Sequence, residues 1–313
     1  MHNIMRFIRQ NKKQIIKVAL IVAFLFGFLQ LLNYIVGRDS SEKTSNKETS
    51  EIYNETKGKV VSDKSAISGA KVSTSEIKKV SEIIEKFVEN CNNHNTEEAY
   101  NMISDDCKEE IYPSLEDFET GYFENLFGSE KRTYSIEKLL ENTYIVKFTG
   151  DLLATGRSGS DYSYQDYITV VEENGENKLN INKYIGKEEI NKKSSSNDIE
   201  TMVLYRKKYM DYEIYTMKIK NNTDGNILLD QLIDTDKIYL KDNNDTKHIA
   251  YSNEIVKDDL VIYQGHTNEI EIKFDNPYVS GRTIKSICFS EVVLNYNPNN
   301  KGGLNLIKLL VNV

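Results

Sequence analysis

The sequence predicts an α+β chain: one N-terminal transmembrane helix, three helices on a curved antiparallel sheet, then an all-β sandwich. Three observations predict it. Residues 18–36 carry no charge at all. Apolar residues then recur at three- and four-residue spacing from position 77. From about 133 onward the period falls to two, the repeat of a half-buried strand.

The first element rests on charge as much as on hydropathy. Arg6, Arg9, Lys12, Lys13 and Lys17 give residues 1–17 a balance of +5 with no acid. The run V-A-L-I-V-A-F-L-F-G-F-L-Q-L-L-N-Y-I-V follows. As a helix it covers roughly 30 Å, the thickness of a bilayer's hydrocarbon core. The positive-inside rule keeps a basic tail at 1–17 in the cytoplasm and sends everything after residue 36 across the membrane. The run exceeds the about 7–15 residues of a cleaved signal peptide, and its exit, N-Y-I-V-G-R-D-S, lacks a small-x-small site. Cys91 is the first cysteine, which excludes a lipid-modified one beside the span. An uncleaved, single-pass cell-membrane anchor is expected.

Net charge over 313 residues is −8, from 40 bases and 48 acids. Removing the five bases of the tail leaves −13 for the exported part. Such a chain is repelled by nucleic-acid phosphate and by anionic lipid. Residues 37–75 are polar and mixed in charge, with no apolar period, and read as a flexible linker spanning roughly 30–35 Å.

Ser73-Thr74-Ser75-Glu76 is a capping-box pattern opening a helix whose stripe is Ile77, Val80, Ile83, Ile84, Phe87, Val88 and Cys91. A short helix follows over 96–103, and Ser114-Leu115-Glu116-Asp117 starts a third, with Leu115, Phe118, Tyr122 and Leu126 as its buried face. Strands are expected at 133–140, 143–153, 164–172 and 178–185, the last two joined at Asn174-Gly175. These elements define a domain at 76–188, in which the helices cover one face of the sheet. Residues 189–200 read as a polar linker. The remainder, 201–313, holds about eight strands separated by Asn- and Asp-rich turns, an antiparallel sandwich.

The helix I-K-K-V-S-E-I-I-E-K-F-V, the segment E-E-A-Y-N-M-I-S and the strands Y-I-T-V-V-E and K-L-N-I-N-K-Y-I resemble the NTF2-like superfamily, about a third of the chain. That resemblance implies a cone-shaped domain with a pocket at its mouth. With the basic tail and single span, the layout is similar to the VirB8-type and TcpC-type proteins of bacterial conjugation and secretion machines. TcpC-type proteins carry two NTF2-like domains; here K-I-K-N-N-T-D-G-N-I-L-L-D instead resembles a small extracytoplasmic immunoglobulin-like domain.

No residue is singled out as catalytic, cofactor-binding or metal-ligating. Four histidines, at 2, 94, 248 and 266, are too scattered for a metal cluster, and phosphate-loop, H-E-x-x-H and G-x-S-x-G motifs are missing. Asp105, Asp106 and Asp117 sit where helix caps explain them. Asp234-Thr235-Asp236 and the Asp242–Asp245 cluster lack calcium-loop spacing and read as turns. Tyr100, Phe118, Tyr122, Phe123, Tyr144 and Phe148 read as core. Cys91, Cys107 and Cys288 read as buried thiols, with a Cys91–Cys107 bridge as the alternative. The expectation is a non-enzymatic, membrane-anchored extracytoplasmic assembly or binding protein without cofactor, a VirB8- or TcpC-like part of a conjugation or secretion apparatus being its sharper form. Its partners would be the membrane, other cell-envelope proteins and further copies of itself, with no nucleic acid. The alternative is a surface-tethered receptor or enzyme using the cone's cavity.

Overall fold

The computed structural model describes residues 59–60, 65, 73–150, 163–279, 281–299 and 304–313. The expected tail at 1–17 and span at 18–36 lie outside these. Among the described residues no helix is long and apolar enough to cross a membrane. Residues 55–313 form one compact unit.

The α+β expectation of a cone, a linker and a sandwich is corrected. Strand makes up nearly half of the described residues, in three sheets, and among those residues α-helix is confined to 74–126. Helix α1, Thr74–Asn92, is nineteen residues long. Short segments follow: α2 (Thr96–Asn101), α3 (Asp105–Ile111), α4 (Leu115–Phe118) and α5 (Glu124–Leu126). A π-turn at Glu119–Phe123 breaks the third expected helix between α4 and α5. The Ser73 side chain caps α1 by accepting from Glu76 N at 3.2 Å. Glu76 does not return the bond. Its carboxylate reaches Lys138 and the Tyr144 hydroxyl, tying the helix start to the sheet.

The first sheet runs β1 (Lys59–Val60), β2 (Arg132–Leu140), β3 (Thr143–Gly150), β4 (Ser163–Glu173), β5 (Glu176–Asn180). Its first pair is parallel, Lys59 beside Ser135 and Val60 beside Ile136. The expected linker over 37–75 therefore contributes a two-residue strand, Lys59–Val60. The Ser65 hydroxyl also donates to Leu139 O at 2.5 Å. At the other end the expected strand 178–185 is split by Asn182 and Lys183, both at positive φ, 56° and 66°. The chain then leaves for another sheet.

That second sheet runs β13 (Thr267–Phe274), β8 (Glu213–Asn221), β7 (Ile199–Tyr209), β6 (Tyr184–Ser196). The expected linker at 189–200 is the tip of the β6–β7 hairpin. Ser194, Ser195 and Ser196 pair with Thr201, Glu200 and Ile199. Its polarity follows from its place. An outer strand that meets water needs no apolar alternation, and Lys187, Lys192 and Lys193 discourage edge-to-edge pairing. The third sheet orders β11 (Lys247–Ile249), β10 (Ile238–Asp242), β14 (Ile284–Leu294), β9 (Ile227–Leu228) and β12 (Val261–Ile262), with β15 (Asn305–Asn312) also on β14.

Two cores result. One lies between the helices and the first sheet, around Phe87, Phe118, Tyr122, Phe148 and Ile168. The other lies between the second and third sheets, around Val203, Met217, Phe274, Ile287 and Phe289. The turn after β8 is held by Asn221, fully buried, whose amide donates to Gly225 O at 2.8 Å and Ile262 O at 3.0 Å. Its oxygen accepts from Thr223 N and Thr223 Oγ1. Asn221→Ala strands these groups and is expected to cost about 2–3 kcal/mol in urea unfolding.

Candidate functional site

The first core contains a buried acid. Asp166 sits at an inward position of β4, beside Ile168 in parity, and is fully buried. It accepts from the Tyr122 hydroxyl at 2.9 Å and from three backbone N–H groups: Tyr167 (2.7 Å), Asn182 (2.9 Å) and Lys183 (3.1 Å). Burial raises its pKa above the ordinary range, and the hydrogen bonds from Asn182 N–H and Tyr122 only partly offset this. Burial, then the nearby Asp166 charge, holds the Tyr122 phenol well above its usual value. A raised carboxyl beside a phenol is the raw material of acid–base catalysis. Here both groups are spent on the chain itself. Asp166 pins the left-handed Asn182-Lys183 turn that passes the chain from the first sheet to the second.

Helix α3 completes that joint. Asp106 and Glu110 lie one turn apart on one face. Asp106 accepts from the Tyr184 hydroxyl at 2.7 Å and Lys187 N at 3.1 Å. Glu110 accepts from the Tyr209 hydroxyl at 2.6 Å and pairs with Lys207 at 2.8 Å. Tyr209 belongs to β7 yet packs in the first core, against Tyr184 and stacked on Tyr212 at 4.3 Å.

The outer surface offers a groove of about 720 Å³ between α1, α2 and the β4–β5 hairpin. Lys79, Glu82, Ile83, Lys86 and Asn90 project from one face of α1, and Glu98, Asn101, Met102 and Gly175–Lys178 close the other side. Asn174 and Gly175, at φ 54° and 82°, form the tight turn that lets the hairpin approach. The floor is Ile83 and Met102, both packed on the first core. Lys178 Nζ donates to Asn101 O at 2.9 Å and pairs with Glu176 at 3.4 Å. Lining charges are mixed, three lysines against three glutamates, and no lining residue is a histidine, cysteine or serine. The result is an open, mixed-charge concavity with a small apolar floor.

The residues weighed from sequence fall as follows. Asp117 closes a reciprocal capping box with Ser114, Asp105 pairs with Lys108 at 3.4 Å, and Asp106 is the joint residue just described. Phe118, Tyr122, Phe123, Tyr144 and Phe148 are buried in one core with Tyr100 against it. Asp242 organises the β10–β11 turn, accepting from Asn244 N and Thr246 N, both at 2.8 Å, and facing His248 Nε2 at 3.2 Å. Among the described residues no cluster of His, Cys, Asp or Glu is placed to hold a metal. All three cysteines are buried and unbridged, with burial pushing the Cys107 thiol up to about 12. The signal for Asp166 was readable: a charge at an inward position of an alternating strand. The outer groove had none, because its walls come from three separate stretches.

No family model, curated relative or solved structure matches this chain.

Proposed function

We propose that this chain is a non-enzymatic binding or assembly protein, membrane-anchored and working outside the cytoplasm beside other cell-envelope proteins. The outer groove carries the reading: an open, mixed-charge concavity with a small apolar floor, on a body whose buried acid–phenol pair is consumed by the fold. The uncharged run 18–36 and its basic flank support the anchoring. A part in DNA transfer or secretion is the finer form of the same proposal, and it rests on that topology.

A photo-crosslinking residue at Ile83, in the full chain expressed in its own host, tests the binding reading. The expected result is a discrete crosslinked species in the membrane fraction that Lys86→Glu together with Lys178→Glu abolishes. Protein recovered in the soluble fraction, with no crosslink from Ile83, overturns it.

A further inference from the structure

The third sheet ends on an unguarded strand. Strand β15 pairs with β14 from Asn305 opposite Leu294 to Asn312 opposite Ser286. Among the described residues it pairs with no other strand. In an antiparallel pair, alternate residues turn their N–H and C=O toward the neighbour, and those between turn them away. Val313 N donates to Lys285 O at 3.0 Å, which fixes the parity. Leu309 and Val311 face β14, and Leu306, Lys308, Leu310 and Asn312 present their backbone groups to the open side. Among the described residues these groups have no hydrogen-bond partner. β6 reaches the strand beyond them, where Lys192 Nζ donates to Val313 O at 2.8 Å.

The same residues point their side chains away from the second core, which takes Leu309 and Val311. Leu306 and Leu310 are 45% and 46% exposed, and Leu304 just ahead is 46% exposed. Lys308 is the one charge over 305–312, and no proline interrupts the run. The contrast with β6 is sharp. That outer strand carries Lys187, Glu188, Glu189, Lys192 and Lys193 and two register shifts, devices that keep an edge from pairing. β15 offers unpaired backbone and leucines instead, which is a template for a further strand.

The open residues are arranged symmetrically about Leu309. A second copy related by a two-fold axis at Leu309 runs antiparallel to the first. It sets Leu306 opposite Asn312 of the second copy and Lys308 opposite Leu310 of the second copy, and the reverse. Every open N–H and C=O from 306 to 312 then meets a partner, and no like charges stand directly opposite. Leu310 lies diagonal to both Leu306 and Leu310 of the second copy, about 7–8 Å away. A two-fold contact of this kind is self-complementary and closes at two copies.

We propose that β15 is a dimerisation edge: two copies of this chain join their third sheets by antiparallel β15–β15 pairing about Leu309. The outer groove, built on α1, α2 and the first sheet, takes no part in it.

Cross-linking of the full chain in membranes tests the contact. Two differently tagged variants, Leu306→Cys and Asn312→Cys, are produced singly and together; the native cysteines are all buried. Oxidation should give a disulfide-linked dimer from the mixture and none from either variant alone, because 306 meets 312 while 306 and 306 lie about 20 Å apart. Sedimentation in detergent should show a dimer of the full chain. Leu310→Lys places like charges opposite at two symmetric positions and should weaken it about tenfold, whereas Leu310→Glu faces Lys308 of the second copy and should preserve it. A monomer at every concentration, a dimer indifferent to Leu310→Lys, equal loss with lysine and glutamate, a cross-link from one variant alone, or one to a different protein overturns the proposal.

Discussion

Asp166→Ala should destabilise the protein by about 3–5 kcal/mol, since it leaves a buried hydroxyl and two turn N–H groups without their acceptor. Urea unfolding of the purified chain reads this directly. The turn is the sensitive part. Asn182 and Lys183 hold left-handed backbone that side chains rarely adopt, and Asp166 accepts from both N–H groups. Asp166→Asn keeps the shape but presents an amide where donors already point, so it should lose less than the alanine variant and still fall below wild type at neutral pH. The pH dependence has a definite sign. Burial sets the Asp166 pKa above its ordinary 3.8, so the native state takes up a proton before the unfolded chain does. Wild type therefore gains stability relative to Asp166→Asn as pH falls from neutral through the raised value toward 3.8. A gap between the two that widens with rising acidity confirms the buried charge; a gap that narrows refutes it.

Tyr209→Ala should cost a similar amount, about 3–5 kcal/mol, the usual range for emptying a large aromatic site. Its distinctive effect lies in the shape of the transition. Tyr209 is carried by the second sheet but packed in the first core, with its hydroxyl on Glu110. Wild type should unfold in one step, because breaking either core exposes part of the other. The variant should unfold in two, with far-ultraviolet dichroism and cysteine accessibility no longer coinciding. Cys107 on α3 reports the first core and Cys288 on β14 the third sheet. Tyr209→Phe keeps the ring and removes one hydrogen bond. It should cost about 1–2 kcal/mol and preserve the single transition.

Much of the local structure was legible because it depends on neighbours in sequence. The Ser73 cap, the α1 stripe, the Asn174-Gly175 turn and the strand expected from Thr143 all follow from period and turn chemistry. What failed depends on where a segment sits. The K-K-S-S-S run of β6 shows no alternation because little of it is buried, so polarity that marks a linker elsewhere marks an outer strand here. Lys59–Val60 was hidden for a related reason: two paired residues are too few to raise a period above a polar background. The break at 182–183 required knowing that Asp166, sixteen residues earlier, would be there to accept from it. The outer groove was not visible, since it gathers its walls from separate stretches.

The β6–β7 hairpin also bears on how this chain could have been assembled over evolutionary time. Recombination usually trades modules whose borders fall in loops where few contacts cross. Here a break between 189 and 200 would divide β6 from the partner it meets from Tyr184 to Ser196, and would leave β7 as a new unprotected edge. The carboxylates of α3 would remain on one fragment and the tyrosine of β7 on the other. The helical layer and the paired sheets must therefore be inherited together, and a homologue of either half is expected to carry its own solution to that seam.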